Sequence, residues 1–239
     1  MHFLDLTLDE PAANVALDEA LLEWCEAGEF DAEILRVWEP YQNFVVIGRG
    51  SEVQREVAQD FCTQHRIPVI RRCSGGAAIV TGPGCLMYAV ILDSELRQEL
   101  TMIDTTHQFV LYQVARALRD LGLPVEPCGI SDLAVDGRKV SGNSLRRKRR
   151  WLLYHGTLLC GLPGEMIQRC LDFAPRQPAY RGGRDHRDFV GGLEIGAREM
   201  KQALRQVWSA NEPLEHWPQH RVRYLVKQRY SCDSWNLAR

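Results

Sequence analysis

The sequence predicts an α+β fold: a mostly antiparallel sheet with packed helices. Three observations lead there. Short apolar runs of strand length come in pairs joined by turns, as in Ile34–Trp38 followed by Phe44–Ile47. Helical stretches fall between these pairs rather than after every strand, which argues against a doubly wound parallel sheet. And Asp136-Gly137 stands between two β-like runs, 131–135 and 138–141, a strong hairpin signal.

The elements follow in order. Residues 14–24 place Val15, Ala16, Ala20, Leu21 and Trp24 at helical spacing, with acids at Asp18, Glu19 and Glu23. The first two strands are separated by Pro40 and Asn43, and Gly48-Arg-Gly50 breaks the second. Ser51 suits the N-cap of a helix with Val53, Val57 and Phe61 on one face. A brief strand at 68–70 enters an arginine–glycine turn. The apolar run 85–92 fits a central strand. Asp104 opens a helix whose face is Phe109, Val110, Val114, Ala115 and Leu118, closed by Gly122. Another strand covers 151–159. One or two short helices follow Pro163, then an irregular stretch at 175–187, an amphipathic helix at 195–208, and a last strand at 222–226. No repeat or linker interrupts the chain, so residues 1–239 read as a single domain, a length that suits one core.

Composition narrows the function classes. Hydrophobic residues make up 45% and charged residues 25%, as in ordinary soluble domains. A formal net charge of −2 means that a nucleic-acid or acidic partner would need a local patch. No apolar run reaches the roughly 18 residues of a membrane span. The start, Met1-His-Phe-Leu-Asp5, lacks a basic leader followed by an apolar stretch. With eight cysteines and no CxxC pair, the expectation is reduced, mostly buried thiols in the cytoplasm, and no zinc site.

Four segments carry chemistry. In Arg71-Arg-Cys-Ser-Gly-Gly-Ala-Ala78, two glycines after a strand allow a tight turn and close backbone approach to a ligand. Arg71 and Arg72 offer guanidinium forks for phosphate or carboxylate, and Ser74 adds a hydroxyl. The spacing is neither a P-loop nor a dinucleotide fingerprint. A solvated surface turn would look the same. In the second segment, 132–143, Lys139 follows a hairpin turn, where a compact ammonium can neutralise a carboxylate and a phosphate together. Ser141 and Gly142 again permit close approach. In Tyr154-His155-Gly156-Thr157, His155 is a general base or a core hydrogen-bonder. The basic run Arg146-Arg147-Lys148-Arg149-Arg150 is a solvated hairpin tip or a docking patch for an acidic partner. It lacks the interleaved aromatics that RNA binding favours.

Taken in order, these segments resemble the lipoate–protein ligase A family of the biotin/lipoate ligase superfamily. The resemblance rests on Asn14-Val-Ala-Leu-Asp-Glu19, Leu35-Arg-Val-Trp-Glu-Pro40, Val45-Val-Ile-Gly-Arg49, Arg71 to Ile79, Gly129-Ile-Ser-Asp-Leu133, Gly137-Arg-Lys-Val-Ser-Gly142 and His155-Gly-Thr-Leu158, over roughly 14–193. It implies a fold like the catalytic domain of class II synthetases and biotin ligases. It implies activation of lipoate or octanoate with ATP and Mg²⁺, then transfer to a lysine of a lipoyl carrier domain or a glycine-cleavage H-type protein. By position, Lys139 would contact the acyl carbonyl and α-phosphate. Arg72 and the backbone of Ala77, Ala78, Ile79 and Val80 would hold the nucleotide, and Gly75 and Gly76 would shape the acyl pocket. Arg71, Ser74, Asp132, Ser141, His155, Gly156 and Thr157 complete the expected set. Acidic carrier domains would favour the docking reading of 146–150.

Three positions depart from the family pattern: Ala77 replaces a third glycine, Thr81 a histidine, and Ser51 a glutamine. On this resemblance the small C-terminal accessory domain of many single-chain ligases is expected to be absent, and that carries with it the expectation of a separate accessory subunit or of no adenylation. The competing reading is an ATP-independent octanoyl or lipoyl transferase with Cys128 as thioester nucleophile, its thiol pKa lowered by Lys139. A non-catalytic cofactor-binding protein and an RNA-binding domain are the minor alternatives.

Overall fold

The computed structural model describes residues 1–173 and 175–238. Its strands are β1 His2–Asp5, β2 Ile34–Trp38, β3 Phe44–Ile47, β4 Val69–Arg71, β5 Ile79–Thr81, β6 Cys85–Asp93, β7 Glu126–Cys128, β8 Asp132–Val135, β9 Arg138–Arg147, β10 Trp151–Leu159 and β11 Glu212–Pro213. The helices are α1 Pro11–Glu26, α2 Val53–Glu56, α3 Gln59–Gln64, α4 Ile103–Arg119, α5 Gly164–Cys170, α6 His186–Phe189, α7 Ala197–Val207, α8 Gln219–Leu225 and α9 Asp233–Asn236. Eight strands form one sheet in the order β11-β1-β2-β6-β10-β9-β8-β7, and β4-β3-β5 form a second. From β2 to β7 every neighbour is antiparallel. Only β1, beside β2 and β11, runs parallel to its partners in the large sheet. The α+β, mostly antiparallel architecture is therefore as the sequence implies.

Burial on both faces explains the continuous apolar run in β6. Cys85, Met87, Ala89 and Ile91 join one core cluster, with α1 and α8. Leu86, Tyr88, Val90 and Leu92 join the other, with α4 and α7. A strand covered on both sides has no polar face to show. A third cluster sits under α2, α3 and α5 against Val45, Ile47 and Val80 of the small sheet. Asp136 (φ 49°) and Gly137 (φ 71°) both adopt positive φ, the geometry a two-residue hairpin turn requires. All eight cysteines are free, and five of them are buried.

Two sequence expectations give way. Residues 222–226 are not a strand: α8 runs to Leu225 and a π turn, Val226–Tyr230, follows. Val222, Leu225 and Val226 stand at i, i+3 and i+4, which is helical spacing, and they pack in the cluster that includes α1. Ser51 does not cap a helix either. Glu52 holds the N-cap of α2 without a side-chain bond, and the expected helix breaks into α2 and α3.

The buried charge of Arg36 ties α1 to the sheet. Arg36, in the middle of β2, has no solvent exposure. Its Nη1 donates to Asp18 Oδ1 (2.6 Å) and Asn14 O (2.7 Å), and its Nη2 to Asn14 Oδ1 (2.8 Å) and Leu6 O (3.2 Å). A buried pair gains little net stability over a packed apolar pair, yet breaking it from one side is costly. Asp18→Ala is expected to lower unfolding stability by about 3–5 kcal/mol in urea titration, and Asp18→Leu combined with Arg36→Met to cost less than Asp18→Ala alone. A small loss in Asp18→Ala would contradict this account.

Candidate functional site

The arginine–glycine turn joins β4 to β5. Arg71 is buried, and its Nη1 donates to Gly48 O (2.9 Å) and Ser51 O (2.8 Å), its Nε to Trp235 O (2.9 Å). Its backbone N–H reaches Asn236 Oδ1 (3.0 Å). Arg72 donates from Nε to Ser74 Oγ (3.1 Å), from Nη1 to Val46 O (3.2 Å) and from Nη2 to Ala77 O (3.0 Å). Burial pulls Arg72 down to about 10. The expectation of two guanidinium forks held out for an anion is thus corrected. These bonds serve the protein itself, because a tight turn aims carbonyls inward that need donors. Arg71 latches α9 to the turn, and Arg72 braces the turn from within.

The rest of the turn is held just as firmly. Gly76 sits at φ 87°, a conformation that favours glycine. Ser144 Oγ donates to Gly75 O (2.8 Å) and Ser51 Oγ to Gly76 O (3.1 Å). Ser51, one of the departures from the family pattern, is therefore a buttress of the glycine turn. Ala78 N–H donates to Glu56 Oε2 (2.7 Å), and Ile79 and Val80 pair with β3. Thr81, a second departure, is buried and donates to Met87 Sδ.

Beneath the turn, three elements bring three side chains into line. Ser74 Oγ lies 2.6 Å from His155 Nε2 on β10, and His155 Nδ1 lies 3.0 Å from Asp18 Oδ2 on α1. All three residues are buried. Burial alone would raise the Asp18 pKa, but Arg36 and His155 hold it below the usual carboxylate value. A carboxylate only accepts, so the shared proton sits on His155 Nδ1, and Nε2 accepts from the Ser74 hydroxyl. The sequence placed Ser74 and His155 in the site but gave Asp18 no part in it, only a place among the acids of a helix and in the segment 14–19 that carries the resemblance. Its signal was present: Asp18 stands three residues after Val15 and four before Leu22, on the buried face.

The second motif meets the first on the β9–β10 ladder. Lys139 Nζ is 2.7 Å from Asp132 Oδ1, and Tyr180 donates its hydroxyl to Asp132 Oδ2 (2.8 Å). To reach Asp132, Lys139 folds over Gly142, where a Cβ would stand 2.8 Å from Lys139 Nζ. Gly142 N–H donates to Thr157 Oγ1 (3.3 Å), Gly156 pairs with Asn143, and Ser144 pairs with His155. Ser141 is buried and accepts from Asn143 Nδ2 (3.0 Å). Lys139 and Ser74 therefore flank one short stretch of strand. The neighbouring Arg138 lines a cleft of ≈ 450 Å³ with Arg187, Leu162, Glu165 and Gly191, and its Nη2 donates to Arg187 O (2.9 Å) and Val190 O (2.7 Å). The sequence missed Tyr180, which lies in a stretch without periodicity, and the cleft's two arginines.

Two further expectations change. Cys128 ends β7 opposite Asp132, but its thiol is not activated: burial, Glu126 and Asp132 push its pKa up. The Lys139 charge that was expected to lower it is bound to Asp132. The basic run is not a uniform solvated tip. Arg150 pairs with Asp93 (2.6 Å) and Lys148 with Glu23 (3.6 Å), while Glu26 accepts the backbone N–H groups of Arg149, Arg150 and Trp151. Strand alternation turns Arg146 to the α1 side of the sheet, where its charge acts on Cys73. Arg147 faces the other side, and Arg149 is exposed. No helix among the described residues is long and apolar enough to cross a membrane.

The chain can be set beside known proteins. A family model described as the lipoyl protein ligase A/B catalytic domain matches residues 10–206. The chain is 28% identical to octanoyltransferase LipM of an Exiguobacterium species, over 98% of this chain and 96% of that protein. It is 24% identical to lipoate–protein ligase 1 of Staphylococcus aureus, over 97% of this chain and 71% of that protein. Among solved structures, a bi-partite lipoate protein ligase from Thermoplasma acidophilum, studied with its E2 lipoyl domain, superposes with a TM-score of 0.84 at 22% identity, over 99% of this chain and 95% of that one. That last likeness bears on the fold. The family match spans most of the sequence, and the chain belongs to the lipoyl protein ligase A/B catalytic-domain family.

Proposed function

We propose that this chain is a lipoate–protein ligase: it activates lipoate or octanoate as an acyl-adenylate with ATP and passes the acyl group to a lysine of a lipoyl carrier domain. The observation that carries this reading is the Asp132–Lys139 pair, held by Tyr180 and folded over Gly142 on the strand that pairs with the one bearing His155. Activation must bring a carboxylate and a triphosphate together, two anions that repel. A fixed ammonium between them removes that repulsion and stabilises charge that develops on the α-phosphate. Arg138, Arg187 and, of the 77–80 backbone, the exposed N–H of Ala77 are suited to the nucleotide, since Ala78 N–H is bound to Glu56 and Ile79 and Val80 pair with β3. Mg²⁺ needs only one or two carboxylates when phosphates supply its other ligands, and Asp132 is the carboxylate at hand. In that state Lys139 would exchange Asp132 for substrate oxygens.

Partner and subunit assignments extend the same reading. A lipoyl domain is the protein substrate, with an H-type protein as the second candidate, and a separate accessory chain fits the bi-partite relative. The carrier-docking cations are Arg147 and Arg149, since Lys148 and Arg150 are paired within the protein. A transferase reading is favoured by the near full-length match to an octanoyltransferase. It would place the acyl thioester on Cys128.

The ligase reading predicts exchange of pyrophosphate with ATP that depends on lipoate or octanoate and not on biotin. Lys139→Ala is expected to lower that exchange by about 10²–10³-fold. No exchange, with and without an accessory chain, would sink the ligase reading, and an octanoyl thioester on Cys128 formed from octanoyl carrier protein without ATP would put the transferase in its place. Charge reversal at Arg147 and Arg149 is expected to weaken carrier binding at low salt and to matter less at high salt. A carrier affinity indifferent to salt would argue against that docking surface.

A further inference from the structure

The buried line Ser74–His155–Asp18 has the connectivity of an activated nucleophile. Ser74 Oγ, His155 Nε2 and Nδ1, and Asp18 Oδ2 are linked by bonds of 2.6 and 3.0 Å. Asp18 is itself fixed by Arg36 (2.6 Å), so the imidazole is held in one tautomer and one orientation. Arg72 Nε donates to Ser74 Oγ (3.1 Å), and a cation there favours negative charge on that oxygen. The turn after the serine supplies a further part. The carbonyls of Gly75, Gly76 and Ala77 accept bonds from Arg72, Ser51 and Ser144. Their three N–H groups donate to no partner among the described residues, and these three residues are exposed. Backbone N–H groups next to a nucleophile are where developing oxyanions are bound. Cys128 has none of these supports: among the described residues no base is hydrogen-bonded to it, and burial, Glu126 and Asp132 push its thiol up.

We propose that Ser74 is an acyl-accepting nucleophile, with His155 as its base and Asp18 as the orienting carboxylate, and that it takes medium-chain acyl thioesters without ATP. His155 Nε2 receives the Ser74 proton as Oγ attacks the thioester carbonyl carbon. The N–H groups of the glycine turn hold the oxyanion, the C–S bond breaks, and the departing thiolate takes the proton from His155. Water then attacks the serine ester, giving its proton to His155. The ester C–O bond breaks, the proton returns to Ser74, and the free acid leaves. An amine in place of water would give acyl transfer. The proposal rests on the acyl-handling reading of this site but not on its use of ATP. It adds to that reading an acyl-ester route that hydrolyses thioesters and spares Cys128.

The test is covalent labelling of the full chain with a fluorophosphonate carrying an alkyl chain of octanoyl length, followed by peptide mapping. A phosphonyl adduct on Ser74 of the unaltered protein is expected, and His155→Gln should slow its formation by about 100-fold or more. Ser74→Ala should abolish the adduct. Absence of an adduct on Ser74 in the unaltered protein would overturn the proposal even if either variant fails to fold. So would equal labelling rates with and without the histidine. The readout needs no ATP or lipoate, so its failure is distinguishable from failure of pyrophosphate exchange, which tests the ligase reading alone.

Discussion

Asp18 is shared between two demands, and the site depends on how it meets both. One carboxylate oxygen neutralises Arg36, a cation sealed in the middle of β2, and the other orients His155 on β10. α1 is thereby fixed against two strands of the sheet at once, with β6 lying between them. Buried ion pairs add little net stability over packed apolar groups, so an apolar residue in place of Arg36 is expected to serve the core about as well. The carboxylate would then have been a lone buried charge, driven towards protonation, and a protonated acid would not hold the imidazole in the same way. The buried ion pair makes better sense as a device that keeps Asp18 ionised beside His155 than as a source of stability.

The same economy governs the arginine–glycine turn. Residues 74–78 are small, so side-chain packing does little to shape that part of the turn. Its shape comes from donors: Arg72 from within, Ser51 and Ser144 from the flanks, and Glu56 as the acceptor for Ala78 N–H. The C-terminal segment completes the frame. Arg229 and Tyr230 both donate to Glu19 (2.6 Å each), and Trp235 donates to Arg71 O (2.8 Å). Glu19 neighbours Asp18 on α1, so the last helices, the first helix and the turn form one rigid frame around Ser74. Such a frame holds the turn's backbone in one shape, which a freely moving glycine loop could not keep.

Lys139 is organised by the opposite logic. It is half-exposed, carried on a hairpin, and held by a single carboxylate that Tyr180 steadies. Under the proposed function Lys139 would change partners, and Asp132 would keep Tyr180 as its second donor. On the proposed reading, the contrast between a buried serine line and a lysine on a hairpin suits a site that would first bind anions and then release them.

The sequence by itself determined the architecture and the two motifs. Strand pairs, the Asp136-Gly137 turn and the doubly buried run of β6 are local patterns, readable because side-chain period and turn chemistry act over a few residues. Lys139, Ser74 and His155 were legible for the same reason, each standing in a short segment with its own chemistry. Only the tertiary structure decided what those residues touch. Arg71 and Arg72 looked like anion forks until carbonyls of residues 48, 51 and 235 claimed the first and those of the turn the second. Cys128 looked activated until Asp132 took the lysine's charge. The basic run looked uniform until Glu23, Glu26 and Asp93 divided it. Asp18 lies 137 positions from His155 and Tyr180 48 from Asp132. Pairings of that kind are set by the packing of α1 on the sheet and of the 175–187 segment on the hairpin, and no local pattern encodes them.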